Sequence, residues 1–259
     1  MEATKKNNQL SSVRNALQIL KCFTMETPEL RVSDIVHKLG LNKSSVSRTI
    51  STLVQEGFLA KNTETNKYKL GYTVITLSGV VYNSMDLYQE SLPILKRLVE
   101  KCGETAHISV LDNHTIIYLQ KVDCNHPVQF LTHIGRRNPP HCTSAGKVLL
   151  AYADPKVYED YVATKLEAFT TYTITSPEKF KKHLEEIRQQ GYAESYSELF
   201  EGVHSVASPI FNWKGEVVAA ISVVGPKQRM DARKMTSIIQ QMIRASKEVS
   251  ALLGYRSNF

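Results

Sequence analysis

The stretch "VSDIVHKLGLNKSSVSRTISTLVQ", residues 32–55, constrains the fold most, because two short amphipathic patterns meet there across a three-residue break. Val32, Ile35, Val36 and Leu39 recur at helical spacing, and the pattern stops at Gly40, a residue that tolerates the left-handed conformation ending many helices. Leu41 and Asn42 make the turn, and Asn42 is a good N-cap for a further helix over 43–56. On that helix Val46, Ile50, Leu53 and Val54 share one face, with Ser44, Arg48, Ser51 and Gln55 opposite and Ser45, Ser47 and Thr52 on the flanks. An apolar rear that docks on its own domain and a slim, hydrogen-bonding front suit a helix entering the major groove of DNA. Short serines let the backbone approach phosphates, and an arginine reaches a guanine edge or a phosphate with two donors. A serine-rich surface helix would look the same in isolation, so the neighbouring segments decide.

Upstream, Val13, Ala16, Leu17, Leu20 and Phe23 predict an amphipathic helix over 12–23, with Ser11 or Ser12 available as N-cap and "TPEL" breaking it. Downstream, "GFLAKNTETNKYKLG" predicts a strand over 58–62, a polar turn at 63–66 and a returning strand over 67–70. Cations stand on that hairpin at Lys61, Lys67 and Lys69, and its turn lacks an Asn-Gly or Asp-Gly pair. Helix, helix, turn, helix and basic hairpin make a winged helix-turn-helix over 10–71. Wings of this kind lie along the phosphate backbone, where neutralised phosphates release counterions. The charge agrees: of a net +7, residues 1–71 hold eleven Lys/Arg against six Asp/Glu, and the other 188 hold 21 against 19. A polyanion partner, nucleic acid or an anionic membrane, is the first reading of that excess, and an ordinary solvated basic surface is the other. The candidate DNA-facing residues are Lys43, Ser44, Ser45, Ser47, Arg48 and Thr52 on the helix, with Lys61, Lys67 and Lys69 on the wing.

With 259 residues, 42% hydrophobic and 22% charged, the chain reads as a packed soluble protein with room for two domains. The N-terminal cations are followed by no apolar core, and the longest apolar stretch, "VVAAISVVG", is too short to span a bilayer. No membrane contact and a cytoplasmic location are therefore expected. The scattered Cys22, Cys102, Cys124 and Cys142 predict reduced thiols. Beyond Gly71, the stripe Val74, Leu77, Val81, Met85 and Tyr88 predicts a linker helix over 72–90, either packed on a core or forming a seam between two chains. A second helix follows, with Pro93 placed in its first turn and Cys102-Gly103 at its end.

From Ala106 the pattern turns to strands: "AHISVLD", "HTIIYLQKV" and "VQFLTHI", then "HSVASPIF" and "VVAAISVV" joined through "NWKGE". Helices are expected over 145–153, 177–190 and 231–253, the last with Met235, Ile238, Ile239, Met242, Val249 and Leu252 on one face. Strands with interleaved and terminal helices imply an α+β domain over 91–259. In "GRRNPPHCTSAGKVLLA" the small residues Thr143, Ser144, Ala145 and Gly146 open a helix whose N–H groups and dipole suit a carboxylate or phosphate. This is no Walker A loop, since its first glycine and the Ser/Thr after the lysine are missing. Ser144 and Lys147 do share the S-x-x-K spacing of penicillin-recognising acyl enzymes, although the companion K-T-G is absent. Cys124, His126, His133, His141 and Cys142 offer soft metal ligands at spacings that match no standard zinc pattern. An acyl-transfer enzyme and a metal sensor are thus the rival readings, and packing is the ordinary role for such residues.

Several motifs in order, "LGLNKSSVSRTISTLVQEGFL" with "YKLG", "GETAHISV", "HCTSAGKVLLA", "GYAES" with "EGVHSVASPIF", and "GEVVAAISVVGP", resemble the IclR family of transcription regulators. The resemblance runs from about Val13 to Leu253. It implies a winged helix domain, a linker helix and a regulatory domain with a GAF-like sheet that binds a small organic acid or aromatic metabolite. It also implies homodimers or dimers of dimers, a duplex operator, no cofactor and no catalysis. The family's effector positions map onto Ser144, Ala145, Gly146, Ser205 and Ser222. Two positions depart: after "GYA", where members that bind small keto acids often carry an acidic residue, stand Ser195 and Tyr196, and Val224 replaces a commonly polar residue. A less polar pocket, with Ser195 in it, is the expectation.

Overall fold

The computed structural model describes residues 10–126 and 132–256, and its contacts divide the chain into two units, Met1–Ser84 and Met85–Phe259. In the first, α1 (Ser11–Leu20), α2 (Val32–Leu39) and α3 (Lys43–Gln55) close around Ile19, Leu30, Ile35, Val46, Ile50 and Leu59. Helix α2 stops at Gly40, whose φ of +63° is left-handed and whose N–H donates to the Val36 carbonyl. Asn42 caps α3, its Oδ1 accepting from the Ser44 amide at 2.9 Å. The hairpin pairs β1 (Leu59–Lys61) with β2 (Tyr68–Leu70), Leu59 opposite Leu70 and Lys61 opposite Tyr68. Asparagines close its turn: Asn62 Oδ1 accepts from the amides of Glu64 and Thr65, and Asn66 is left-handed at φ +54°.

Four expectations for residues 10–103 are corrected. The N-cap of α1 is Leu10, with no side-chain cap, and Ile19 rather than Val13 and Leu17 completes the inward stripe with Ala16, Leu20 and Phe23. Val13 and Leu17 lie to one side of that face and remain over half exposed. The stretch 72–90 is not one helix: α4 (Tyr72–Asn83) ends where the Ser84 hydroxyl donates to the Val81 carbonyl, and Met85 turns extended. A new helix, α5 (Asp86–Cys102), then begins in the second unit, so Pro93 lies inside it rather than in its first turn. Gly103, at φ +70°, ends it as expected.

Among the described residues the second unit is built on six strands, β3 (Thr105–Asp112), β4 (Thr115–Val122), β5 (Arg137–Asn138), β6 (Ala193–Tyr196), β7 (Val203–Phe211) and β8 (Val217–Pro226). Their order is β5-β4-β3-β8-β7-β6, with every neighbouring pair antiparallel. Helices α5 and α9 (Ala232–Leu252) cover one face; α6 (Ser144–Tyr152) and α8 (Pro177–Gln190) pack on the other. Strand β8 shows why its sequence is a continuous apolar run: Ala219, Ile221 and Val223 enter the first core, while Ala220 enters the second and Ser222 and Val224 share its side. The hairpin through "NWKGE" is closed by the Asn212 amide donating to Glu216 and by Gly215 at φ +78°.

Not anticipated were the two-residue β5, the 3-10 turn Pro140–Cys142, strand β6 and α7 (Pro155–Val162), which Asp154 caps through its Oδ1 on the Lys156 amide. Of the expected strand "VQFLTHI", residues 128–131 lie outside the described residues, and 132–134 form no strand. Leu252 is 53% exposed, because in the last turn of α9 it falls at the edge of the stripe made by Met235, Ile238, Met242 and Val249.

Candidate functional site

The outward face of α3 exposes Lys43, Ser44, Ser47, Arg48 and Thr52, while Ser45 is half-buried. Among the described residues none of Lys43, Arg48, Lys61, Lys67 or Lys69 is in an ion pair. Two hydroxyls are already committed. That of Ser44 donates to Asn42 Oδ1 at 2.8 Å, and that of Thr52 turns back to the Arg48 carbonyl. On the wing, Lys61 sits 6.0 Å from the centre of the Tyr68 ring, and Lys67 is half-buried.

The second unit holds a cavity of about 240 Å³ at the start of α6. Cys142, Thr143, Ser144 and Ala145 come to it from the helix start, His107, Tyr118, Ser205, Ser222 and Val224 from the sheet, and Ser195, Leu199, Phe200 and Val203 from the β6–β7 region. Register assembles the sheet wall. His107 lies opposite Ser222, and Ser205 opposite Val224, so residues far apart in the chain share one face. Thr143 caps α6 by accepting from the Gly146 amide, which leaves the Ser144 and Ala145 amides as outward donors. The Ser144 hydroxyl donates to Ser205 at 2.8 Å and that of Ser195 to the Cys142 carbonyl at 3.2 Å.

Five of the six expected ligand positions, Ser144, Ala145, Ser195, Ser205 and Ser222, therefore line one cavity, and Gly146 does not. A Cβ on Gly146 would stand 2.3 Å from Pro140 Cα, so this glycine lets the turn Pro140–Cys142 lie against the helix. On β6 the alternation sends Ser195 inward. The departure expected after "GYA" is corrected here: the residue directly after it is the acidic Glu194, which lies off the cavity and accepts from the Tyr196 hydroxyl.

His107, Tyr118, Thr132, Asn138, Leu199 and Phe200 were missed by sequence reasoning, although a histidine interrupting the apolar strand "AHISV" was a usable signal. His107 is 1% exposed, stacks on Tyr118 with ring centres 4.5 Å apart, and shares a hydrogen bond with Thr132 at 3.1 Å. Burial, helped by the charge of Lys121, pushes its pKa down to about 3, so the ring is neutral. The Tyr118 hydroxyl accepts from Asn138 at 3.2 Å. Among the described residues no Lys, Arg, Asp or Glu side chain lines the cavity, so an anion there would be met by helix amides, the helix dipole and neutral donors of the wall such as the Ser222 hydroxyl.

Comparison with known proteins agrees with both units. Residues 80–251 match the bacterial transcriptional regulator IclR C-terminal family, and residues 12–63 match the IclR helix-turn-helix domain. The chain belongs to the IclR family of transcriptional regulators. It is 33% identical to the HTH-type transcriptional regulator XynR of Escherichia coli over 95% of this chain and 98% of that one. Identity to the HTH-type transcriptional regulator KdgR of the same organism is 30%, over 97% of this chain and 95% of that one. A solved IclR homologue from Microbacterium hydrocarbonoxydans, complexed with 4-hydroxybenzoate, superposes with a TM-score of 0.84 at 25% identity, covering 93% of this chain and 98% of that one.

As an IclR regulator the chain is not an enzyme, and the local chemistry explains its enzyme-like spacing. Ser144 bonds Ser205, whereas the Lys147 ammonium, 1% exposed, is taken by Glu198 Oε1 at 2.5 Å and the Glu194 carbonyl at 2.7 Å. The metal reading meets the same kind of obstacle. Both ring nitrogens of His141 are engaged, by the Tyr161 hydroxyl and the Glu167 carbonyl, and burial pushes the Cys142 thiol up to about 12. Cys124 shares a hydrogen bond with Thr105, and among the described residues no three metal-ligating side chains converge. Among those residues, no helix is long and apolar enough to cross a membrane.

Proposed function

We propose that this IclR regulator binds a duplex operator through paired α3 helices and wings, and that a small carboxylate in the α6 cavity shifts that binding. The observation that carries the reading is the uncharged cavity at a helix N-terminus, in a chain whose first unit presents cations outside ion pairs on α3 and the wing. The 4-hydroxybenzoate complex of a relative supports a small organic acid as the effector class. Helix α4 supports a homodimer, or a dimer of dimers: it has no buried residue, and Tyr72, Ile75, Leu77, Val80 and Val81 are each more than half exposed. A second copy covering them would set two α3 helices against two half-sites. The working compartment is the cytoplasm, where the operator lies, and no cofactor is required.

A ligand moves such an equilibrium only by as much as it binds one state better, so cavity and DNA-binding unit must be energetically coupled. The test starts from DNA fragments retained by the purified protein, which define the operator. Gel shifts on that operator are then titrated with 4-hydroxybenzoate, a panel of aliphatic carboxylates and the matching amides. One carboxylate should change operator affinity by about tenfold while its amide does not. Equal effects of acid and amide would sink the carboxylate reading.

A further inference from the structure

We propose that Lys147 is the positioning residue of the cavity's lip: its grip on Glu198 sets where Leu199 and Phe200 stand, although Lys147 itself lines no part of the cavity. The inference rests on the cavity being the effector site. Lys147 lies in the second turn of α6, the helix whose first residues, Ser144 and Ala145, line the cavity. Its ammonium reaches three other segments: Glu198 Oε1 at 2.5 Å, the Glu194 carbonyl on β6 at 2.7 Å, and His183 Nε2 on α8 at 3.3 Å. Glu198 belongs to the connection 197–202 between β6 and β7, from which Leu199 and Phe200 enter the cavity wall.

That connection is otherwise held by its backbone, by the Ser197 hydroxyl accepting from the Gly202 amide at 3.1 Å, and by the Arg136 guanidinium 5.7 Å from the centre of the Phe200 ring. The Ser197 amide donates to the Val203 carbonyl at 2.8 Å and the Thr173 hydroxyl to the Glu198 carbonyl at 2.7 Å, with Ser197 left-handed at φ +58°. Through its side chain, the connection reaches α6 by the Glu198 carboxylate, which is 6% exposed and whose second oxygen has no hydrogen-bond partner among the described residues. So sparing a set of partners is a poor way to gain stability, because desolvating two charges consumes most of what their attraction returns. What a short, buried, directional contact does supply is a fixed distance. Here it ties the lip to the same helix that forms the opposite wall, so a ligand meets both at a set separation.

The consequence separates positioning from stability. Replacing both charges by apolar side chains of similar length, Lys147→Met with Glu198→Met, should leave the fold intact and release the lip. Hydrogen exchange on the full chain reads this directly. We expect the double variant to melt near the wild-type temperature while peptides covering 197–203 exchange about tenfold faster, with α6 and β7 unchanged. Wild-type exchange at 197–203 in that variant overturns the proposal. Should the double variant not fold, Glu198→Gln keeps an acceptor for Lys147 and decides the matter: faster exchange confined to 197–203 supports the proposal, and unchanged exchange, or loss spread over α6, β6 and α8, overturns it. Calorimetry with 4-hydroxybenzoate as probe separates the two readings. If the wild type binds, about tenfold weaker binding by the folded variant supports the lip role and equal affinity overturns it. A wild type that does not bind counts against that acid as effector, and the exchange data alone then decide the lip.

Discussion

Arg48 stands exposed on α3, outside any ion pair among the described residues, so its fork of N–H donors is open to a base edge or a phosphate. Arg48→Ala should lower specific operator affinity by about 1–3 kcal/mol and relax the preference at one base pair, which gel shifts against single-base operator variants measure. Gly146 matters for the opposite reason, the atom it lacks. A Cβ there would sit 2.3 Å from Pro140 Cα and 2.4 Å from its carbonyl oxygen, both rigid backbone. Gly146→Ala should therefore destabilise the second unit by about 1–3 kcal/mol. At roughly 2–4 °C per kcal/mol for a chain of this size, a calorimetric scan will resolve it. Arg48 was legible in the sequence because helical spacing alone assigns its face. The packing role of Gly146 was not, because Pro140 reaches it only through the turn Pro140–Cys142.

Elements that carry their own start and stop signals were legible almost to the residue. Gly40, Asn42 and Gly103 each act on atoms within four residues, so α2, α3 and the end of α5 follow from local chemistry. The break between α4 and α5 was hidden, since a stripe of apolar residues ran across it and the extended Met85 carries no glycine or proline to mark it. The wing gives a prediction at this scale. Lys61 and Lys69 are exposed and Lys67 is half-buried, so changing all three to alanine should weaken binding to every duplex alike. For every phosphate that the variant no longer neutralises, the slope of log affinity against log salt should become shallower by about one, read from titrations at several salt concentrations. An unchanged slope would remove the wing from the phosphate backbone.

For the whole molecule the decisive feature is α4, an apolar helix without a buried residue. Ile75→Asp combined with Val80→Asp touches no core residue, so the fold should survive, while sedimentation velocity should show monomers and operator affinity should fall. An unchanged sedimentation coefficient would remove α4 as a surface joining two copies. By itself the sequence determined the winged helix-turn-helix, the face that α3 shows outward, the existence of β7 and β8 and the hairpin joining them, and, through the family resemblance, five residues of the cavity wall. Those properties depend on neighbours a few positions away or on motifs that survive divergence. Only the tertiary structure decided that His107, Tyr118 and Asn138 complete that wall, that Val13 and Leu17 stay outside the core, and that Lys147 meets Glu198 across 51 positions. The pairing of β3, β8 and β7 and the seating of α6 on them bring these side chains together, and no local periodicity encodes which distant residues a strand register sets face to face.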